Sequence, residues 1–94
     1  MPHNTLRHLE AKIVLHDYIQ NHHCSYIRPY QLIEFIRSRA DKYEQLKELS
    51  DPILKSVLTH TVNTITGQSK MTGRINAYPS EPIRRWAEHA TINN

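Results

Sequence analysis

A small, mainly helical domain with a minor β element is the fold class this sequence predicts, and three observations predict it. Apolar residues recur at spacings of three and four through the stretches 6–20, 29–49 and 53–65. Glycine is scarce, with 2 residues, and each of the 5 prolines falls outside those stretches or at the first position of one. One short stretch only, residues 74–78, alternates with the period of a strand. The 94 residues suffice for a single domain and one core, with a radius of gyration of roughly 12 Å. Order is expected over about residues 5–90, with 91–94 as a frayed tail.

The first helix is expected from Thr5, a candidate N-cap, to Gln20. Leu6, Leu9 and Ile13 form its inward stripe, widened by Ala11, Val14 and Tyr18, with Arg7, Glu10, Lys12 and Asp17 in solvent. The run 21–25 has no period and closes it. Tyr26, Ile27 and Arg28 read as a short extended approach to Pro29, which suits a first helical position because proline lacks the N–H that position would leave unpaired. Leu32, Ile33, Ile36, Ala40 and Tyr43 then repeat at helical spacing, predicting one long helix over 29–49 or a tight pair that breaks near Asp41.

Ser50-Asp51-Pro52 is the strongest helix start in the chain. Behind it Ile53, Leu54, Val57, Leu58, Val62 and Ile65 share one stripe, and Gly67 is placed to end the helix in a left-handed conformation. The opposite face is Lys55, Ser56, Thr59, His60, Asn63 and Thr64, without an acid. Residues 68–73 read as a polar turn, 74–78 as a strand, and Ile83 to Ala90 as a last helix docked by Ile83 and Trp86. The expected core is Leu9, Ile13, Leu32, Ile33, Ile36, Leu54, Val57, Leu58, Val62 and Trp86.

Composition narrows the function classes. With 38% hydrophobic and 22% charged residues, and no apolar run longer than Ile13-Val14-Leu15, neither a disordered tail nor a membrane partner is expected. Aromatics at 7% are too few for a single-strand stacking platform. A lone Cys24 excludes an internal disulfide, and residues 1–5 lack the charged and apolar regions of a signal peptide, so the cytoplasm is the expected compartment. The net charge is +3, unevenly spread. Residues 52–87 carry Lys55, Lys70, Arg74, Arg84 and Arg85 against Glu81 alone, a bias that attracts phosphate.

Metal and enzyme chemistry find little support. His22, His23 and Cys24 are adjacent, but no spaced ligand pairs accompany them, so helix-end caps are the expected role. No paired carboxylates, glycine-rich loop or nucleophile motif occurs, so no catalytic residue, cofactor or small-molecule substrate is expected. The acid-free helix face points elsewhere. Major-groove readers need short hydrogen-bonding groups with a cation or two, because base edges present mixed donors and acceptors. Lys55, Ser56, Thr59, His60 and Asn63 fit that chemistry. Solvent-facing helices more often mix Glu with Lys, and four threonines between 59 and 66 are a poor choice for helix stability alone.

This order of elements, ending in a capped helix with a polar face, a basic turn and a strand, resembles a winged helix-turn-helix domain over residues 5–78. The resemblance implies sequence-specific duplex DNA binding as a small transcriptional or recombination regulator. Lys55, Ser56, Thr59, His60 and Asn63 would contact bases or phosphates, and Lys70 and Arg74 would sit on the wing. Arg84 and Arg85 extend the expected DNA-binding set. A homodimer through the first helix or 29–49 would double the contacts. The alternative is a helical protein-interaction module, such as an inhibitor, antitoxin or mobile-element accessory factor, using Tyr18, Tyr26, Tyr30, Tyr43 and Tyr78 as its surface.

Overall fold

The computed structural model describes residues 2–39, 41–67, 71–72 and 74–90, with side chains from Leu6 onward. The elements are α1 (Pro2–Asn21), β1 (Tyr26–Ile27), α2 (Pro29–Ser38), α3 (Asp51–Thr66), β2 (Tyr78–Pro79) and α4 (Ser80–His89). The chain is mainly α with a minor β element, as the periodicity predicts. Its radius of gyration is 12.2 Å. Helix α1 packs against α2, α3 and α4, and α3 packs against α2 and α4. The expected tail 91–94 lies outside the described residues.

Helix α1 buries the widening residues of the expected stripe, Ala11, Val14 and Tyr18, and not its expected centre. Ala11, Val14, Leu15, Tyr18 and Ile19 are buried, while Leu6 and Leu9 are exposed and Ile13 is only partly covered. Both stripes run at helical spacing, and three helices are packed around the Ala11–Tyr18 side, so that side wins. The rest of the expected core stands except at its edges. Leu32, Ile36, Leu54, Val57, Leu58 and Val62 are buried, whereas Ile33 and Trp86 pack against the core partly covered. Ile53, expected on the α3 stripe, is exposed.

Helix α2 starts at Pro29 as predicted, and the Gln31 side chain accepts a hydrogen bond from the Arg28 amide at 3.0 Å. It does not run on to residue 49. At its end the Ser38 hydroxyl donates to Phe35 O at 2.8 Å, and Arg39 N closes a tight turn onto Ile36 O at 3.0 Å. A continuous helix would keep Tyr43 and Leu46 in phase with Ile36 but carry Leu46 about 15 Å beyond it along the axis. The chain turns back instead, and both side chains are fully buried. A single wound turn, with Lys47 N on Tyr43 O at 3.0 Å, replaces the expected second helix.

Three side chains from the flanking helices hold this connection. Arg37 of α2 donates to Lys47 O at 2.6 Å, to Leu49 O at 2.7 Å and to Asp51 Oδ1 at 2.8 Å. Glu10 of α1 accepts from the amides of Gln45 at 2.8 Å and Leu46 at 3.0 Å, so it caps the wound turn. Asp17 of α1 receives the Tyr43 hydroxyl at 2.6 Å and Lys42 Nζ at 2.8 Å. Burial pushes the Glu10 carboxyl up, against the pull of its two amide donors. Burial and the bond to Asp17 both push the Tyr43 phenol up. Asp51 is therefore occupied by Arg37 and does not cap its own helix, whose N-cap Ser50 makes no side-chain bond.

Helix α3 ends at Gly67, whose φ of 76° puts it in the left-handed region as expected. The strand expected over 74–78 is shorter. Residues 74–76 form a turn in which Asn76 takes φ 55°, and Thr72 pairs with Ala77 across it. Strand β2 follows and pairs antiparallel with β1, Ile27 opposite Tyr78. Helix α4 begins three residues before the expected Ile83, with Pro82 in the first turn where its missing N–H costs nothing. Ser80 is buried, its amide donating to Ser25 O at 2.9 Å and its hydroxyl to Cys24 O.

Leu58→Asp places an unpaired charge in the core and should cost several kcal/mol, read as loss of a cooperative melt at room temperature. An unchanged melting curve would reject the buried face assigned to α3. Arg37→Ala leaves two carbonyls and Asp51 without their donor and should cost about 1–3 kcal/mol by urea unfolding, with the urea slope unchanged.

Candidate nucleic-acid interface

The face of α3 that points away from the core is continuous from Pro52 to Asn63, about three turns. Lys55, Ser56 and His60 are exposed, and Thr59 and Asn63 are half-buried. With Pro52 and Met71 these five residues line one open depression of about 460 Å³. The helix has a single carboxylate, Asp51 at its first turn, and Arg37 is bonded to it. The depression is thus walled by hydroxyls, an amide, an imidazole and an ammonium, with no acid in its lining.

Several of these groups are already engaged. The Tyr78 hydroxyl donates to Thr59 Oγ1 at 2.6 Å, so Thr59 keeps its own O–H to offer outward. Tyr78 is fully buried, and burial pushes its phenol up. Asn63 has its Oδ1 buried without a hydrogen-bond partner, an unusual state for a buried polar atom. The threonine run has a local explanation that residue counting does not reach. Thr61, Thr64 and Thr66 each donate a hydroxyl to the carbonyl four residues earlier, at 2.8, 2.9 and 2.6 Å. Thr61 is buried, on the inner side of the helix.

The remaining expected residues spread out. Arg74 is exposed in the turn after α3, and that turn is pinned by Arg28, whose Nε donates to Ile75 O at 3.3 Å. Lys70 lies outside the described residues. Arg84 reaches Cys24 O at 3.5 Å, and Arg85 pairs with Glu81 at 3.0 Å beside Trp86 and Ile65. Both arginines of α4 are engaged away from the α3 depression. The structure therefore gathers Lys55, Ser56, Thr59, His60 and Asn63, and leaves Arg84 and Arg85 apart from them.

The structure also brings in a group that the sequence does not single out. His8 of α1 faces His60 with ring centroids 4.8 Å apart, and its Nδ1 lies 3.0 Å from Thr61 Oγ1. Because Thr61 gives its proton to Val57 O, its oxygen is the acceptor and His8 carries a proton on Nδ1. Burial, then the neighbouring His60, Lys12 and Arg7, hold the His8 imidazole below its ordinary value. No local signal could have found this pairing, since the two histidines stand 52 positions apart in the chain.

His22 Nδ1 bonds Tyr18 O at 3.1 Å, closing the end of α1, and its ring stacks on Tyr18 at 4.0 Å. Among the described residues no group of three or more His, Cys, Asp or Glu side chains converges as a metal site. No described helix is long and apolar enough to cross a membrane. Compared with protein-family models, curated proteins and solved structures, this chain matches none.

The His8 environment has a consequence for stability. As pH falls through 6.5, the ordinary imidazole value, the unfolded chain takes up this proton before the folded one does. The fold should therefore lose stability between about pH 7.5 and 5.5. His8→Gln keeps a donor for Thr61 and cannot ionise, so its urea midpoint should fall less over that window. Equal losses in both proteins would show that His8 does not titrate against folding.

Proposed function

We propose that this protein binds duplex DNA in a sequence-dependent manner through the outer face of α3, as a small regulator of transcription or recombination. The observation that carries the reading is the acid-free depression in which Lys55, Ser56, Thr59, His60 and Asn63 converge. Its chemistry is mixed donor and acceptor, as a groove edge requires, and a helix is the element that enters a major groove. The turn at 74–76, bridged at its base by Thr72 and Ala77, stands after α3 where the winged helix-turn-helix resemblance puts a wing. It carries Arg74 as a phosphate-seeking group. Lys70 belongs to the same proposed contact set.

The proposed dimer would use the exposed Leu6 and Leu9 edge of α1 rather than the 29–49 segment, whose Leu32, Phe35, Ile36, Tyr43 and Leu46 are buried. The competing reading, a protein-interaction module without DNA, loses most of its tyrosine surface. Tyr18, Tyr43 and Tyr78 are buried, leaving Tyr26 and Tyr30 exposed.

Ser56 and Asn63 lie two turns apart along the depression on α3, Ser56 exposed and Asn63 half-buried, and neither side chain holds a hydrogen bond to the core. Thr59 is the poorer choice for substitution, because removing it would strand the Tyr78 hydroxyl. After selection of a target from random duplexes, Ser56→Ala with Asn63→Ala should lower specific affinity by roughly 1–3 kcal/mol per lost base contact. Binding to scrambled duplex should stay near the parent value. Lys55→Ala with Arg74→Ala should weaken both duplexes alike and reduce the salt slope by about two units. Equal losses for both variants on both duplexes would remove sequence reading from α3. Absence of any loss, or of any salt-dependent binding by the parent, would remove DNA and favour a protein partner.

A further inference from the structure

We infer that the cleft between α1 and α3 is an oxyanion site in which His8, Lys12 and His60 surround a phosphate group. The cleft holds about 160 Å³ and is lined by these three residues with Thr61 and Thr64. At about 30 Å³ per liquid water, that is room for a tetrahedral oxyanion and a neighbouring water. His8 and Lys12 stand four apart on α1 and so share one side of the helix, which faces His60 across the cleft.

The donors are directed. Thr61 holds His8 by Nδ1, which leaves Nε2 as the atom that gains the second proton. The Thr64 hydroxyl is turned back onto His60 O, so the imidazoles and the ammonium are the donors available to a ligand. The charged and titratable groups that bear on His8 are Arg7 and Lys12 of its own helix and His60 of α3, with no carboxylate among them. Such a set is unfavourable while it lacks a counter-ion: burial and mutual repulsion disfavour the charged form of His8. A bound oxyanion reverses that balance, because each added proton becomes a charge-assisted hydrogen bond to it.

His60 lines both this cleft and the α3 depression, so the two surfaces meet at one side chain. The phosphate therefore has two sources, a free phosphate or a backbone phosphodiester beside the groove that α3 enters. The second source rests on the DNA reading; the site itself does not.

Histidine-ring NMR on the whole protein, from about pH 5 to 8, tests the site in chloride and then in inorganic phosphate at matched ionic strength. Phosphate should raise the His8 midpoint by about one pH unit and move the His60 ring signals, leaving His16 and His89 in place as references. Lys12→Gln should cut the His8 shift to roughly half or less. A random-sequence duplex that reproduces the shift identifies backbone phosphate as a ligand. A shift with phosphate and none with duplex supports the site with free phosphate as its source. If neither moves His8 relative to His16 and His89, the site is rejected. The DNA reading stands or falls separately, on salt titrations whose variants touch neither His8 nor Lys12.

Discussion

Residues 41–50 contain no regular helix, yet they decide where α3 points, and side-chain oxygens and nitrogens from α1 and α2 hold them in place. Arg37 gathers two carbonyls and a carboxylate, Glu10 takes two amides, and Asp17 takes a phenol and an ammonium. Each is a charged group meeting partners that irregular backbone would otherwise leave to water, and such bonds are stronger than neutral ones. With the connection tied at both sides, Tyr43 and Leu46 reach the core and Asp51 is brought to Arg37 at the start of α3. The orientation of the proposed interface follows from that anchoring more than from α3 itself.

Helix α3 divides its polar groups between two tasks. Thr61, Thr64 and Thr66 spend their hydroxyl protons on the helix's own carbonyls, and Thr61 also receives His8. Ser56, Lys55 and Asn63 carry no such bond in the described structure and line the open side. Thr59 stands between the tasks, accepting from Tyr78 while keeping a donor of its own. Arg37 offsets the one carboxylate of the helix, which leaves the outer face without negative charge. An acid-free surface of this kind is expensive in self-repulsion and favourable towards phosphate, and the His8, Lys12 and His60 cleft extends it onto α1.

Much of the fold was legible in the residues because its signals are local. Proline at the start of α2 and in the first turn of α3, glycine at the end of α3, and the Leu54–Val62 stripe each act within a few positions. The site was legible to the same extent: spacing on one helix places Lys55, Ser56, Thr59, His60 and Asn63 together. The inward side of α1 was legible only in part: Ala11, Val14 and Tyr18 are buried as expected, but Leu6, Leu9 and Ile13 satisfy the same period and are not. The end of α2 was not legible either, because the apolar phase continues through Tyr43 and Leu46 whether the chain runs straight or folds back.

The sequence by itself therefore determined the helix starts and stops, the capped amphipathic α3 and the absence of acids on its outer face. These depend on dihedral preference, missing donors and 3.6-residue spacing, all properties of short segments. Only the tertiary structure decided that Leu6 and Leu9 stay at the surface of α1, that residues 41–50 turn back under three clamping side chains, and that Arg84 and Arg85 lie outside the depression that Lys55 lines. It alone brought His8 onto His60 and Tyr78 onto Thr59. Those choices compare packings that are equally consistent with local periodicity, and burial of whole faces against other elements is what separates their free energies.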